Sequence, residues 1–369
     1  MLNLNIQNET SRLRAVVLGI ATHNGPTPTL EQCYDPKSKI HVKAGTYPSE
    51  QDMIIEMESV AKVFDKYDIR VYRPKTIDNY NQIFSRDIGF VIEDKFIKAN
   101  ILPDRGQEIE AIDYILDEIP NENKITLPEE CHVEGGDVMP WNNYIFIGTY
   151  SGEDYPDFIT ARTNMNAVKA IQELFPDKIV KSFELRKSND NAKENALHLD
   201  CCFQPIGKNK AILHKNGFLN LKEFNWLVDF FGKKNVFEIT KEEMYQMNSN
   251  VFSISEDVIV SEKNLKEQSV NPQQFATIYD YLRGNVPGLN VSGTNITIRG
   301  FNTVNGNTEP LFIVNGTPVE KSTFSLIIPL EIEKITKTKT VLVDGEMFSW
   351  YGSRLLKAFD YFKELHRQL

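Results

Sequence analysis

GFVIEDKFIKAN, residues 89–100, sets two short apolar runs on either side of the polar pair Glu93-Asp94 and reads as two strands about a tight turn. NNYIFIGTY, residues 142–150, repeats that pattern, and KAILH (210–214) and DVIVSE (257–262) are further short strands. Upstream, RAVVLG (Arg14–Gly19) is a near-continuous apolar run closed by a glycine, as a buried strand should be. Helices fall between the strands. Glu50–Tyr67 brings Met53, Ile54, Met57, Val60, Ala61 and Phe64 to helical spacing after the stop-and-cap signal Pro48-Ser49, and Asn164–Phe175 is a second helix. Strand, turn, strand, helix, recurring up to about Asn264, predicts an α/β protein built from several similar modules.

The chain has 369 residues, 41% of them hydrophobic and 25% charged, which is enough for a packed core and argues against wholesale disorder. Its formal charge of −10 offers no extended basic face, so nucleic acid is excluded as a partner. Six histidines and four cysteines (Cys33, Cys131, Cys201, Cys202) are too few and too scattered for a disulfide framework or a structural zinc site. No membrane span is expected, because no run approaches the roughly 18 apolar residues one needs. The opening MLNLNIQNETSRLR has no basic-then-apolar order, so no signal peptide is read and a cytoplasmic protein is expected.

From about Ser269 the character changes. Asn, Gly and Thr become frequent and β-branched residues alternate with turn formers, predicting short strands joined by tight turns. Leu355, Phe359, Phe362, Leu365 and Leu369 fall at helix spacing, predicting a terminal amphipathic helix. The expected domains are residues 1–265, 266–354 and 355–369.

Three segments of the first domain are candidates for chemistry. FSRDIGFVI places Asp87 just before an apolar strand. CHVEGGDVMP places Glu134 and Asp137 around two glycines, where a backbone can bend sharply or approach a neighbour closely. ALHLDCCFQP, read as a strand, puts His198, Asp200 and Cys202 on one face. A histidine flanked by carboxylates is a proton-transfer unit, and several carboxylates on one site suit a flat, multi-donor cation such as a guanidinium. Each segment alone also fits a structural reading: a loop-end aspartate, a turn, a satisfied histidine. His132 beside Glu134 lacks the geometry of a ligand pair, so no metal is read.

Taken in order, SRLRAVVLG, SRDIGFVI, VEGGDVMP, ARTNMNAVKAIQELF, LHLDCCFQPIGKNKAILH and MNSNVFSIS resemble the guanidino-group-modifying family of arginine and agmatine deiminases, dimethylarginine dimethylaminohydrolases and amidinotransferases, over about residues 10–265. The resemblance implies a five-bladed α/β propeller (pentein) with its site at one end of the central axis, and an arginine-like small molecule as ligand. It implies that Asp87 and Asp200 hold the guanidinium, that Glu134 orients substrate and histidine, and that His198 is the general acid/base. Arg162 would contact the carboxylate side of the substrate or stand behind the site. No cofactor is implied. The nucleophile would be a cysteine near the C-terminus, whose thiolate attacks the guanidinium carbon. No cysteine follows Cys202 in this chain. Cys202 is a weak substitute, since it would start beside the gripping carboxylates rather than across from them, and Cys131 fares no better; a buried, inert thiol is the better reading.

TIYDYLRGNVPGLNV, ITIRGFNTVNGNTEPLFIVNGTPVE and YGSR resemble the plug domain of TonB-dependent outer-membrane receptors over about residues 273–354, carried by Leu282-Arg283-Gly284, Ile298-Arg299-Gly300, Glu309-Pro310-Leu311, Asn315-Gly316 and Tyr351-Gly352-Ser353-Arg354. A plug without its barrel cannot gate transport. The last blade is thus expected to be replaced by a plug-like β-rich segment, leaving an incomplete propeller with sheet edges prone to self-association. Three readings stay open: a guanidine-modifying enzyme by descent, impaired or inactive for want of its nucleophile; a non-catalytic binding or interaction protein; or two reading frames joined near residue 266.

Overall fold

The computed structural model describes residues 2–155 and 157–261, and beyond these residues 277–280, 289–292, 294–298, 312–314, 317–319, 322 and 341–342. The chain divides into two compact units, residues 1–265 with 340–369, and residues 266–339.

In the first unit, β1 (Ala15–Val17) is followed by α1 (Pro36–Ala44) and α2 (Glu50–Lys66), and β2 (Arg70–Tyr72) returns parallel to β1. A parallel return needs a crossover, and α2 supplies it. Ser49 caps α2 by accepting from the Asp52 N–H, as the sequence signal requires. The run RAVVLG is paired only over three half-buried residues rather than as one buried strand, because its partner β2 is itself three residues long.

Three modules with one plan follow. In the first, β3 (Gly89–Ile92) and β4 (Lys95–Lys98) form a hairpin, the short helices α3 (Gln107–Glu110) and α4 (Asp113–Leu116) cross over, and β5 (Lys124–Thr126) lies parallel to β4. In the second the parts are β6 (Val138–Trp141), β7 (Tyr144–Thr149), α5 (Met165–Leu174) and β8 (Ile179–Glu184). In the third they are β9 (Phe203–Ile206), β10 (Lys210–Leu213), α6 (Leu221–Phe231) and β11 (Val236–Glu238), after which α7 (Lys241–Tyr245) carries a complete capping box from Thr240 and Glu243. Each hairpin turns through left-handed residues: Glu93 at φ 55°, Asn142 at φ 55°, and Gly207 with Asn209 at φ 54° and 58°. That backbone twist matches the twist of the flanking strands. A further hairpin, β12 (Phe252–Ser255) and β13 (Val258–Ser261), packs on the first strand pair: the Leu13 N–H donates to the Ile254 carbonyl at 2.9 Å, and the Phe64 and Phe252 rings meet edge to face at 5.5 Å.

In the second unit, β14 (Leu289–Ser292) pairs with β15 (Asn295–Ile298), and β16 (Phe312–Val314) with β17 (Thr317–Val319), both antiparallel. These are the short strands expected from the Asn-, Gly- and Thr-rich sequence. Back in the first unit, the two residues Val341–Leu342, β18, run parallel to β13. The terminal helix expected over 355–369 and the YGSR segment lie outside the described residues. The architecture is mixed α/β.

One expectation fails at the third module. LHLDCC is not a strand: Leu199–Cys201 forms a single 3-10 turn, and β9 starts only at Phe203. Strand pleating therefore does not align His198, Asp200 and Cys202. The reason is that the Leu199 N–H is taken by Asp137 from the second module and the Cys202 N–H bonds back to the Leu199 carbonyl, so neither enters a ladder.

Candidate functional site

The three module loops that precede a hairpin carry the candidate residues, one set each. Asp87 lies two residues before β3, Glu134 and Asp137 lie just before β6, and His198 and Asp200 lie just before β9. Repetition of one plan thus delivers residues far apart in sequence to one place. The corresponding loop before β12 supplies Ser249, fully buried, whose hydroxyl donates to the Cys201 carbonyl at 2.6 Å and so ties down the third loop.

At the centre, His198 Nε2 lies 2.7 Å from Glu134 Oε2, and His198 Nδ1 lies 3.9 Å from Asp87 Oδ1. Glu134 is completely buried and also accepts two hydrogen bonds from Arg162 Nη1, at 3.1 and 3.0 Å. Arg162 spends its remaining donors on the carbonyls of Ile159 and Tyr34, at 2.7 and 2.9 Å. These donors bind Glu134 and backbone, while Arg162 also belongs to the wall of the cavity beside the cluster. Burial by itself would raise the Glu134 carboxyl, but Arg162, the His198 hydrogen bond and Arg105 hold it well below the usual carboxylate range. Burial by itself would lower His198, but Asp87, Glu134 and Asp137 push it up to about 9, so the imidazole is held as a cation at neutral pH.

The glycine pair of VEGGDV has a steric reason. A Cβ on Gly135 would stand 2.0 Å from the Arg86 carbonyl oxygen, and one on Gly136 would stand 2.9 Å from the His198 ring. Glycine at 135 is what lets the first loop's backbone close on the second, and glycine at 136 leaves room for the His198 ring. Asp137, equally buried, accepts from the Thr163 hydroxyl at 2.7 Å and from the Leu199 N–H at 2.8 Å, fixing the backbone next to His198.

Two arginines that the motifs did not single out complete the cluster. Arg105 is forked onto Glu108 at 2.7 and 3.0 Å, and its Nη1 reaches Asp87 Oδ2 at 2.9 Å and Glu134 Oε2 at 3.5 Å. Burial raises Glu108 to about 7 against the pull of Arg105. Arg86 donates from Nε to Asp200 Oδ2 at 3.1 Å and approaches Glu9 Oε2 at 3.5 Å. Arg105 sits in the loop ILPDRGQ, which carries no recognisable signal; Arg86 stood in the quoted SRDIG but was read only as the neighbour of Asp87.

A cavity of about 1270 Å³ opens on this cluster, with Asp87, Arg105, His198, Asp200 and Cys201 among its walls. Glu134 stands behind His198, out of the lining. Of the adjacent cysteines it is Cys201, not Cys202, that faces the cavity; its Sγ lies 3.7 Å from Asp200 Oδ1. Cys202 is wholly buried with its sulfur against the Leu199 carbonyl at 3.5 Å, and burial raises both thiols well above their usual range. Cys131 is buried too. His132 does not join Glu134: its Nδ1 pairs with Asp154 Oδ2 at 2.8 Å and its ring stacks on Tyr155. Asp87, Glu134 and His198 offer ligand atoms within 4.8 Å of one another, but the Asp87 and Glu134 carboxylates are already bound by Arg105 and Arg162. A divalent cation there would meet two guanidinium charges, so the residues do not fit a metal.

The family described as N,N dimethylarginine dimethylhydrolase, eukaryotic, matches residues 45–291, and the TonB-dependent receptor plug domain matches residues 255–344. An uncharacterized protein of Bacillus subtilis (strain 168), YkgA, is 26% identical over 183 residues, which are 49% of this chain and 55% of that protein. The chain thus spans about half the length of that curated relative. Among solved structures, the amidinotransferase SxtG from Microseira wollei aligns at a TM-score of 0.53 with 16% identity, over 70% of this chain and 85% of the other. The inosamine-phosphate amidinotransferase of Streptomyces griseus aligns at 0.54 with 13% identity, over 72% and 86%. Identities this low speak for the fold alone. With two thirds of its length matched by one family and the motif residues of three loops gathered at one point, the chain belongs to the N,N-dimethylarginine dimethylhydrolase family.

Proposed function

We propose that this protein takes the guanidinium of an arginine-type small molecule into the cavity beside Asp87 and Asp200, and that it turns such ligands over poorly or not at all. The observation that carries the reading is the convergence of Asp87, Glu134, His198 and Asp200 on one buried point. In this reading Asp87 and Asp200 grip the flat cation, His198 supplies a proton to a departing amine, and Glu134 orients His198. Arg162 and Arg105 keep Glu134 ionised and in place; neither is assigned to the ligand's carboxylate.

Breaking the guanidinium C–N bond by the family's route needs a thiolate opposite the gripping acids. Cys201 stands on the acids' own side, and a sulfur beside Asp200 is disfavoured as an anion. The proposed fold is a pentein propeller of five modules. Three full modules, the β1–β2 pair and the β12–β13 hairpin support it, with residues 266–354 in place of the last blade and 355–369 as a terminal helix. Four free thiols support a reducing, cytoplasmic setting, and the acidic charge supports a small-molecule rather than a nucleic-acid partner.

Calorimetric titration with agmatine and L-arginine, beside assays for citrulline, ornithine and dimethylamine release, tests this. Saturable binding lost in Asp200→Asn, with no product formed, is the expected outcome. Robust release that is abolished only by His198→Ala and indifferent to replacement of all four cysteines would overturn the thiolate argument. The plug match favours a second reading, a non-catalytic interaction protein, and the change from one family match to another along the chain favours a joined reading frame as its origin. Capture of a partner that depends on residues 266–369, without any arginine binding, would support that second reading over the first.

A further inference from the structure

Both gripping carboxylates are already in contact with guanidinium groups, and these belong to the protein itself. The two pairings differ in kind. Arg105 is 8% exposed and forked onto Glu108 by two hydrogen bonds, so its contact with Asp87 belongs to a locked, buried lattice. Arg86 is 35% exposed, holds Asp200 Oδ2 through Nε at 3.1 Å, and among the described residues otherwise makes only the 3.5 Å approach to Glu9. Glu9 has a second partner in Gln204 Nε2 at 3.1 Å, so it does not lose its hydrogen bonding when Arg86 departs. Asp200 is 7% exposed, and burial, reinforced by the Asp87 charge, raises its carboxyl against the pull of Arg86 and His198, so a bare Asp200 is costly and wants a cation.

We propose that Arg86 is a resident guanidinium and a specificity-determining residue of the pocket: it covers Asp200 in the unliganded protein and swings to solvent when an incoming guanidinium takes its place. The inference rests on reading the cavity as a guanidinium site. Exchange of one guanidinium for another keeps the buried charge compensated throughout. A single hydrogen bond from an arginine about one-third exposed yields readily to a ligand that presents two parallel N–H groups to the same carboxylate. A compact ammonium has no such fork, and it can pair with Asp87 alone without displacing Arg86. The apparent affinity for a guanidinium is therefore reduced by the fraction of molecules in which Arg86 is closed, whereas that for an ammonium is not.

The test is calorimetric titration of the full chain at pH 8 with agmatine and with cadaverine, in wild type, Arg86→Gln, Arg12→Gln and Asp200→Asn. Arg12 is an exposed arginine of the same cavity and controls for net charge. Arg86→Gln should bind agmatine about fivefold more tightly than wild type with cadaverine affinity unchanged, while Arg12→Gln stays at the wild-type value for both. If Arg86→Gln fails to fold, Arg86→Lys replaces it, keeping the charge while losing the Nε contact, and is expected to move in the same direction. Equal gains for both ligands, or a gain shared by Arg12→Gln, would reduce the effect to general charge and overturn the proposal. No gain while Asp200→Asn still abolishes binding would overturn it too and leave the guanidinium reading standing. Absence of agmatine binding in wild type and Arg86→Gln alike would instead defeat that reading, and this inference with it.

Discussion

The imidazole of His198 and the carboxylate of Glu134 meet at 2.7 Å with almost no solvent access, at 6% and 0% exposure. A buried histidine would ordinarily be neutral. Here the second module's carboxylate and the first module's Asp87 make the third module's histidine a cation, so the charge state of one loop is set by the other two.

Stability should follow from that pair with opposite signs on its two limbs. His198 is raised from 6.5 to about 9 on folding, so its contribution is complete below pH 6.5 and is lost as pH rises through about 9. Glu134 is depressed from 4.5, so its contribution is present above 4.5 and is lost as pH falls through its folded value. Urea melts from pH 4 to 10 should show an alkaline loss on the order of 3 kcal/mol that flattens in His198→Gln. An unchanged alkaline limb in that variant would refute the assignment.

Glu134→Gln leaves Arg162, Arg105 and His198 facing a neutral amide in a site closed to water. A loss of about 3–5 kcal/mol is expected, as when one partner of a buried ion pair is removed. If the variant folds, the His198 ring should titrate well below its wild-type value by proton–carbon NMR.

The two glycines of VEGGDV should differ in what they tolerate. Gly135→Ala drives a methyl into the Arg86 carbonyl, which as backbone cannot yield, and should cost at least about 1–3 kcal/mol. Gly136→Ala meets the side chain of His198 instead; it should fold while shifting the histidine's NMR titration. The reverse order of severity in thermal melts would count against this packing.

Away from the site, Phe146 is fully buried amid Phe183, Phe203, Trp226, Phe230 and Phe231, where the second and third modules share their core. Phe146→Ala should cost about 3–5 kcal/mol in chemical denaturation.

All four thiols are buried and unpaired. Iodoacetamide should add up to four groups to the unfolded chain and none to the native protein over the same interval, read by intact mass. Rapid native labelling of Cys201 would reveal an activated sulfur in the cavity and undercut the proposed lack of turnover.

Much of this protein is written in short stretches. The left-handed turns at Glu93 and Asn142, the caps at Ser49 and Asn164, and the residue types of the three loops follow from sterics and hydrogen bonding within a few residues. The strand reading of LHLDCC failed because a contact from 62 residues away, Asp137 to the Leu199 N–H, overrode local propensity. The same holds for the charges. Arg105 to Glu134 spans 29 residues, His198 to Glu134 spans 64 and Arg86 to Asp200 spans 114. Sequence named the acids, the histidine and the glycines that let loops approach. Only the fold decided which arginine neutralises which acid and which sulfur faces the cavity, because Coulomb attraction and burial act through space and take no account of position along the chain.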